Sequence, residues 1–382
     1  MQEGSTRITE GASLTNEQRR EIIGDFRLVW GARQTPSNLT SRSNASTLRL
    51  VKDVHFRFIS KRTDRENCMR ALAATKEQRD VLTRHRVLMV LVYAAAVLCA
   101  ATVSAQRKPA QDEKLKPRRV TLKTKDGLSL NAFYFPTDKG KEAITVLLVH
   151  EWNGKGASPY GKFVIALRDA GCAVLAPDYR GHGGSAEFTN ARGKKDKFNI
   201  SQMSRRDVEN VINFDLERAK AFLKEENDKE NLNLNALVMI GIGEGCVMAA
   251  NWAQRDWSFP NVGRMKQGQD VKALIYISPE KQIKGIPIAP ALNNPQLLNL
   301  PTMIVAGETK MAEAKRIGKP IEAVKIRMGR GTAVGYSLKL VKTKLSGPSL
   351  VNDVSGVIPA ITDFIKEHVK ISDDENPWIE RN

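Results

Sequence analysis

The chain has 382 residues, of which 41% are hydrophobic, 27% charged and 6% aromatic. This apolar content is sufficient for a folded core, and it excludes a collagen-like, globally disordered or many-spanning membrane protein. The formal charge of +18 favours anionic surroundings, but no zinc-ligand spacing or aromatic RNA-binding motif accompanies it, so we expect no nucleic-acid partner.

An uncharged, apolar stretch at residues 87–105 is the strongest composition shift in the chain. Arg84 and Arg86 precede it, and residues 103–105 give it a small-residue ending, Val-Ser-Ala. These features are typical of a secretory signal peptide, so we expect export after cleavage near Ala105, into the periplasm or the extracellular space. The alternative is an uncleaved membrane anchor with the C-terminal domain outside, because the preceding arginines would hold the N-terminus in the cytoplasm.

Composition divides the rest of the chain into segments. A signal peptide normally lies near the start of a chain, so the 83 residues before it indicate either a start of translation near Met69 or a cytoplasmic tail. The predicted boundaries are 1–83 for a basic, disordered leader, 84–105 for the signal peptide or anchor, 106–118 for a basic linker, 119–370 for the folded domain and 371–382 for an acidic, polar tail. Residues 106–382 keep a net charge of +11, which we interpret as a solvated surface.

From residue 119 onward, strand-like and helix-like patterns alternate. Period-two alternation on both sides of Asp126-Gly127 predicts an antiparallel hairpin. Five continuous apolar runs follow, as parallel strands covered on both faces require, and they are 143–149, 173–176, 236–240, 273–277 and 302–306. Helical spacing is predicted at 160–170, 208–223, 246–253 and 354–368, with a last strand at 337–341. The sequence therefore predicts an α/β fold with a mostly parallel central sheet and helices on both faces.

Three motifs carry a resemblance to a known superfamily. They are His-Glu-Trp-Asn-Gly at 150–154, Asp-Tyr-Arg-Gly-His-Gly-Gly-Ser at 178–185 and Gly-Ile-Gly-Glu-Gly at 241–245. With the order of elements, they make residues 117–370 resemble the α/β-hydrolase superfamily, and in particular secreted esterases and dienelactone-hydrolase-like proteins. The resemblance implies the α/β-hydrolase fold, and hydrolysis of ester bonds if the site is active.

The resemblance also locates the catalytic triad, whose residues have been replaced. The nucleophile of a G-x-S-x-G elbow corresponds to Gly243, the acid to Lys310, and the histidine to Pro348 or a neighbour. Glycine has no attacking atom, lysine has the wrong charge, and no histidine follows the last predicted strand until His368 in the terminal helix. Cys246 lies in the following helix in the wrong register to replace the nucleophile, and Glu308 or Glu280 could supply an acid but would have no histidine to orient.

The other motif residues have both functional and structural interpretations. Backbone N–H groups at Trp152 and Glu244 resemble oxyanion donors. Pocket candidates at the carboxyl ends of the strands are His150, Glu151, Asp178 and His182. We favour a bracing role for Asp178 and Arg180, and we expect no metal and no cofactor because these spacings match no established ligand pattern. Cys172 and Cys246 lie in apolar contexts and are predicted to be buried thiols.

The favoured hypothesis is an exported α/β-hydrolase-fold protein that is inactive as a serine hydrolase and that binds a small molecule, a protein partner or nothing essential. The first alternative is an esterase-like or lactonase-like hydrolase that uses a non-standard residue set, such as a water activated by Glu151, Glu244 or Asp178. The second alternative is a membrane-anchored cell-surface structural protein that uses its positive charge.

Overall fold

The computed structural model describes residues 114–152, 155–190, 192–263 and 265–381. The predicted leader, the predicted signal peptide or anchor and most of the predicted linker lie outside these residues. Within the described ranges, none of the helices combines the length and the apolar character that a membrane crossing requires.

A single eight-stranded sheet forms the centre of the domain. Its strands are β1 (Arg118–Lys123), β2 (Ser129–Phe135), β3 (Ile144–Val149), β4 (Cys172–Pro177), β5 (Asn233–Ile242), β6 (Val271–Ile277), β7 (Thr302–Ala306) and β8 (Tyr336–Leu340). Their order in the sheet is β1-β2-β4-β3-β5-β6-β7-β8. Strand β2 runs antiparallel to both of its neighbours, and the pairings from β4 to β8 are parallel. This is the strand order of the α/β-hydrolase fold, which confirms the predicted fold class and the predicted hairpin.

Helices cover both faces of the sheet, as predicted. They are α1 (Gly161–Asp169), α2 (Arg205–Asn210), α3 (Leu216–Asp228), α4 (Gly245–Ser258), α5 (Ala289–Leu292), α6 (Pro295–Asn299), α7 (Met311–Met328), α8 (Gly347–Asp353) and α9 (Val357–His368). One π-helical turn, Val211–Asp215, joins α2 to α3. Helices α2 to α7 contribute to the apolar core on one face, and α1, α8 and α9 contribute to the core on the other. Every residue of β4 and β5 is buried, which explains their uninterrupted apolar sequences.

Helices α5 to α8 were not predicted from the sequence. Helix α7 contains Pro320, which interrupts the helical pattern. Helix α8 begins at Gly347, so Pro348, which we aligned with the catalytic histidine, lies in the first turn of a helix. Proline is tolerated there because its missing N–H would have no partner within the helix.

The C-terminal segment packs against the folded domain at the amino ends of the strands. The side-chain amides of Asn233 and Asn235 in β5 donate to the carbonyls of Asn376 and Pro377 at 2.9 and 3.0 Å. The Arg381 guanidinium reaches the buried carboxylate of Asp270. Residues 371–381, which composition set apart as a tail, thus contribute contacts to the domain.

Candidate active site

The turn between β5 and α4 has the geometry of a sharp strand-to-helix elbow. Gly243 has a φ of +57°, in the left-handed region that favours glycine. A Cβ atom at Gly241 would lie 2.6 Å from the Cα of Cys246, and one at Gly245 would lie 2.2 Å from the carbonyl oxygen of Val149. Both flanking positions therefore require glycine, and they set the register that aligns Gly243 with the tip of the turn.

Gly243 brings no reactive atom to this tip. Its N–H donates to the carbonyl of Ile277 at 2.9 Å, which anchors the turn to the end of β6. A Cβ atom at position 243 would lie 3.0 Å from the Cβ of Glu151, so the loop after β3 closes over the turn. The nearest nucleophilic side chain along the chain is Cys246, and its thiol is buried and donates to the Ile277 carbonyl at 3.6 Å. Burial raises the pKa of this thiol well above its ordinary value, so Cys246 is unreactive in this position.

Two carboxylates flank the elbow. The hydroxyl of Tyr160 donates to the carboxylate of Glu151, and the backbone N–H of Trp152 donates to the carboxylate of Glu244 at 3.3 Å. Burial raises the pKa of Glu151, and the negative charge of Glu244 raises it further, while the Tyr160 hydrogen bond opposes the shift. The backbone N–H of Trp152, which we predicted as an oxyanion donor, therefore already donates its hydrogen bond to the carboxylate of Glu244.

The segments that follow β6, β7 and β8 meet at the same edge of the sheet. Lys310, at the predicted acid position after β7, forms an ion pair with Glu280 after β6. The N–H of Gly347 donates to the hydroxyl of Ser278 at 3.1 Å, which fixes the start of α8 and hence Pro348 beside the end of β6. Residues 341–356, between β8 and α9, contain no histidine.

The described residues contain three histidines, and all three are held in packed positions. His150 stacks on the ring of Tyr179, with centroids 3.9 Å apart, and its Nδ1 lies 2.8 Å from the carbonyl of Glu151. His182 lies between the rings of Tyr179 and Trp152, with centroid distances of 4.5 and 4.9 Å. Burial lowers the pKa of His150 to about 3 and that of His182 to about 4, so both rings are neutral near pH 7. His368 ends α9, where it packs edge-to-face on Phe364.

Asp178 and Arg180 connect neighbouring loops. Asp178 accepts hydrogen bonds from the N–H groups of Ala157 and Gly184 at 2.6 and 2.8 Å. Arg180 forms ion pairs with the buried Asp215 at 2.6 Å and with Asp126 at 2.7 Å. These contacts correspond to the bracing role that we favoured for both residues.

Sequence reasoning missed Tyr160, Tyr179 and Asp215. Tyr179 lies inside the 178–185 motif, and this position could have indicated that Tyr179 belongs to the site. Tyr160 and Asp215 carry no motif and reach the site only through the packing of α1 and the π-helical turn. In the part of the chain that the structure describes, no group of three or more His, Cys, Asp or Glu residues is arranged to hold a metal ion.

The strand order and the elbow together define a protein with the α/β-hydrolase fold. No family model matches the chain. Uncharacterised proteins from two strains of Mycobacterium tuberculosis are 37% identical to it over 76 residues, which is 20% of this chain and 27% of theirs. The matched region thus spans about a quarter of the length of these curated relatives.

Several solved structures of hydrolases are similar to the chain in fold. An esterase from Pyrococcus furiosus is 15% identical with a TM-score of 0.46, and the alignment covers 68% of this chain and 93% of that one. Carboxyl esterase 2 from Tuber melanosporum is 13% identical with a TM-score of 0.45, over 66% of this chain and 88% of that one. A dienelactone hydrolase from Anabaena variabilis is 16% identical with a TM-score of 0.42, over 66% and 96%.

Proposed function

We propose that this chain is a binding protein built on the α/β-hydrolase fold and that it does not hydrolyse esters by Ser-His-Asp chemistry. The observation that carries the proposal is Gly243 at the tip of the elbow. Nucleophilic hydrolysis requires an attacking atom, a base that takes its proton and an acid that orients the base. Glycine supplies no such atom, and the other two positions hold Lys310 and a segment without histidine.

The charge around the elbow supports the same proposal. An acyl-transfer transition state places negative charge on the substrate oxygen, and hydrolases stabilise it with backbone N–H groups aimed at that oxygen. Here the N–H of Trp152 donates to Glu244, and Glu151 lies against Gly243. Two carboxylates beside a developing oxyanion would raise the barrier, because like charges at short range repel.

Fluorophosphonate labelling and ester turnover test this proposal on the purified full chain. The matched pair of variants is Gly243→Ser and Gly243→Ala, which add the same Cβ atom beside Glu151 and differ only in the hydroxyl. We expect no covalent label on the native protein and equal background turnover of short p-nitrophenyl esters by all three proteins. A label on a defined residue of the native chain would overturn the proposal. A serine variant about 100-fold faster than the alanine variant would reveal a base that the proposal excludes.

A second candidate function rests on the position of Glu151. Its Cβ lies 3.0 Å from the place of a Cβ on Gly243, and burial raises the pKa of its carboxyl above the ordinary value, which favours proton uptake from a water. Under this hypothesis the chain would hydrolyse an ester or lactone through a water held by Glu151, and Glu151→Gln would reduce turnover by about 100-fold or more. A screen of short esters and lactones, with and without added divalent metal, followed by this variant, separates the two functions.

Export belongs to the proposal as well. It rests on the basic, apolar and small-residue pattern at 84–105, which predicts cleavage after Ala105. N-terminal sequencing of the native protein tests it, and we expect a mature chain that begins at Gln106. Recovery of peptides from residues 1–68 in the native protein would contradict the predicted start near Met69.

A further inference from the structure

An open depression of about 870 Å³ lies beside the carboxyl end of β4. Its lining includes residues 181–183 in the loop after β4, residues 197–201, and Lys155 in the loop after β3. We call it the β4 depression. Ligands of open α/β sheets bind outside the carboxyl ends of the strands, and this volume lies within the range of small-molecule sites.

Asp178 fixes two parts of this lining relative to each other. Its carboxylate accepts from the N–H of Ala157, two residues after Lys155, and from the N–H of Gly184, next to Gly183. A Cβ atom on Gly183 would lie 2.5 Å from the Asp178 carboxylate, so glycine at this position is what allows the carboxylate to reach both loops. The loops after β3 and β4 are thus held in place without a ligand, which reduces the entropy cost of binding.

The segment 197–201 is held by a short hairpin. Strand Glu187–Thr189 pairs antiparallel with Lys195–Lys197, and the N–H of Phe198 donates to the carbonyl of Ala186 at 2.9 Å. The ring of Phe198 also packs on that of Phe188, with centroids 4.4 Å apart. These contacts orient Lys197 and Phe198 along the same depression.

The side chains that line the depression combine positive charge with apolar surface. Among the described residues of the lining, the charged side chains are Lys155 and Lys197, and both are exposed. Phe198 and Ile200 are half-buried and supply apolar surface. A ligand that matches this lining has an anionic head for the two ammonium groups and a short apolar body for the ring and the aliphatic side chain.

We propose that the β4 depression binds a small anionic amphiphile, a carboxylate or phosphate joined to a short acyl or aryl body. This inference rests on the proposed binding role and gives that role a ligand class. It places the ligand beside the carboxyl end of β4.

Isothermal titration calorimetry of the full chain tests the proposal with four probes of the same tail length. These are octanoate, octyl phosphate, 1-octanol and octyltrimethylammonium, each below the concentration at which it forms micelles. We expect the two anions to bind at least about ten-fold more tightly than the neutral and cationic probes. The ratio of the two anion affinities identifies the preferred head group.

A matched pair of double variants separates the depression from general attraction to a basic protein. Lys155→Gln with Lys197→Gln should raise the Kd of the anions by about ten-fold, whereas Lys315→Gln with Lys319→Gln, which removes the same charge from the exposed surface of α7, should leave it unchanged. Equal loss in both double variants, equal binding of all four probes or no anion binding would overturn the ligand class. None of these outcomes alters the labelling and turnover results that test the proposed function, so the two can fail separately.

Discussion

Asp270 is a position where a single change of charge should strongly destabilise the domain. Its carboxylate is fully buried at the amino end of β6. It lies 3.0 Å from the ammonium of Lys266 and 3.1 Å from that of Lys220, and it also pairs with Arg381 of the C-terminal segment. Asp270→Asn would leave Lys266 and Arg381 without this counter-charge, whereas Lys220 would keep its ion pair with Asp256 at 2.6 Å.

Removing one partner of a buried ion pair costs about 3–5 kcal/mol, because an uncompensated charge stays in the interior. We therefore expect Asp270→Asn to lower the free energy of unfolding by about that amount, measured by urea denaturation of the full chain with circular dichroism. The matched control is Arg205→Gln, which breaks a surface ion pair with Glu209 whose side chains are 62% and 44% exposed. This control should cost less than about 1 kcal/mol.

The pH dependence gives the Asp270 prediction a second test. Burial tends to raise the pKa of Asp270, but the adjacent Lys220, Lys266 and Arg381 outweigh it and hold the pKa below its ordinary value of 3.8. A carboxyl whose pKa is lowered by folding contributes stability above its unfolded pKa and loses that contribution as pH falls through the folded value. The difference between native protein and Asp270→Asn should thus shrink as the pH falls below about 3.8. A difference smaller than about 1 kcal/mol at pH 7 would refute the reasoning.

Two further predictions follow from the elbow. Gly245→Ala should destabilise the fold by about 3 kcal/mol or more, because its Cβ would lie 2.2 Å from the Val149 carbonyl oxygen, and an unchanged melting temperature would contradict this. Cys246 should resist alkylation by iodoacetamide at pH 8 in the native protein and react in 8 M urea, as followed by peptide mass spectrometry, because burial raises the pKa of its thiol. Modification of Cys246 in the native state at the rate of a free thiol would show that the start of α4 opens.

The sequence predicted the strands because their physical signals are local. A parallel strand covered on both faces must be apolar throughout, and β4 and β5 are buried at every position. Helix α7 was missed because Gly318 and Pro320 both count against a helix. The structure explains Gly318, since a Cβ there would lie 2.1 Å from the hydroxyl of Tyr336 on β8. Close contact with Tyr336, on a strand that is distant in the sequence, thus requires glycine at position 318. No local sequence pattern indicates this requirement.

The candidate site was predictable only in part for the same reason. Motif residues at strand ends were expected to lie near one another, and Glu151 and Gly243 do. The hydrogen bond from Tyr160 to Glu151 and the ion pair between Lys310 and Glu280 depend on how separate loops approach each other. Spacing along the chain does not determine such approaches, because loop geometry is set by the tertiary fold.

The glycines of the elbow and the residues of a catalytic triad are under different physical constraints. Gly241 and Gly245 are required by contacts with Cys246 and Val149, which belong to the core, so selection for a stable fold is sufficient to retain them. An elbow of this shape is therefore not evidence of hydrolysis. Ser-His-Asp catalysis requires in addition an attacking atom at position 243 and donors open to an oxyanion. The first is absent in glycine, and Glu244 already accepts the hydrogen bond of the Trp152 N–H, so packing is sufficient to account for the shape of the elbow.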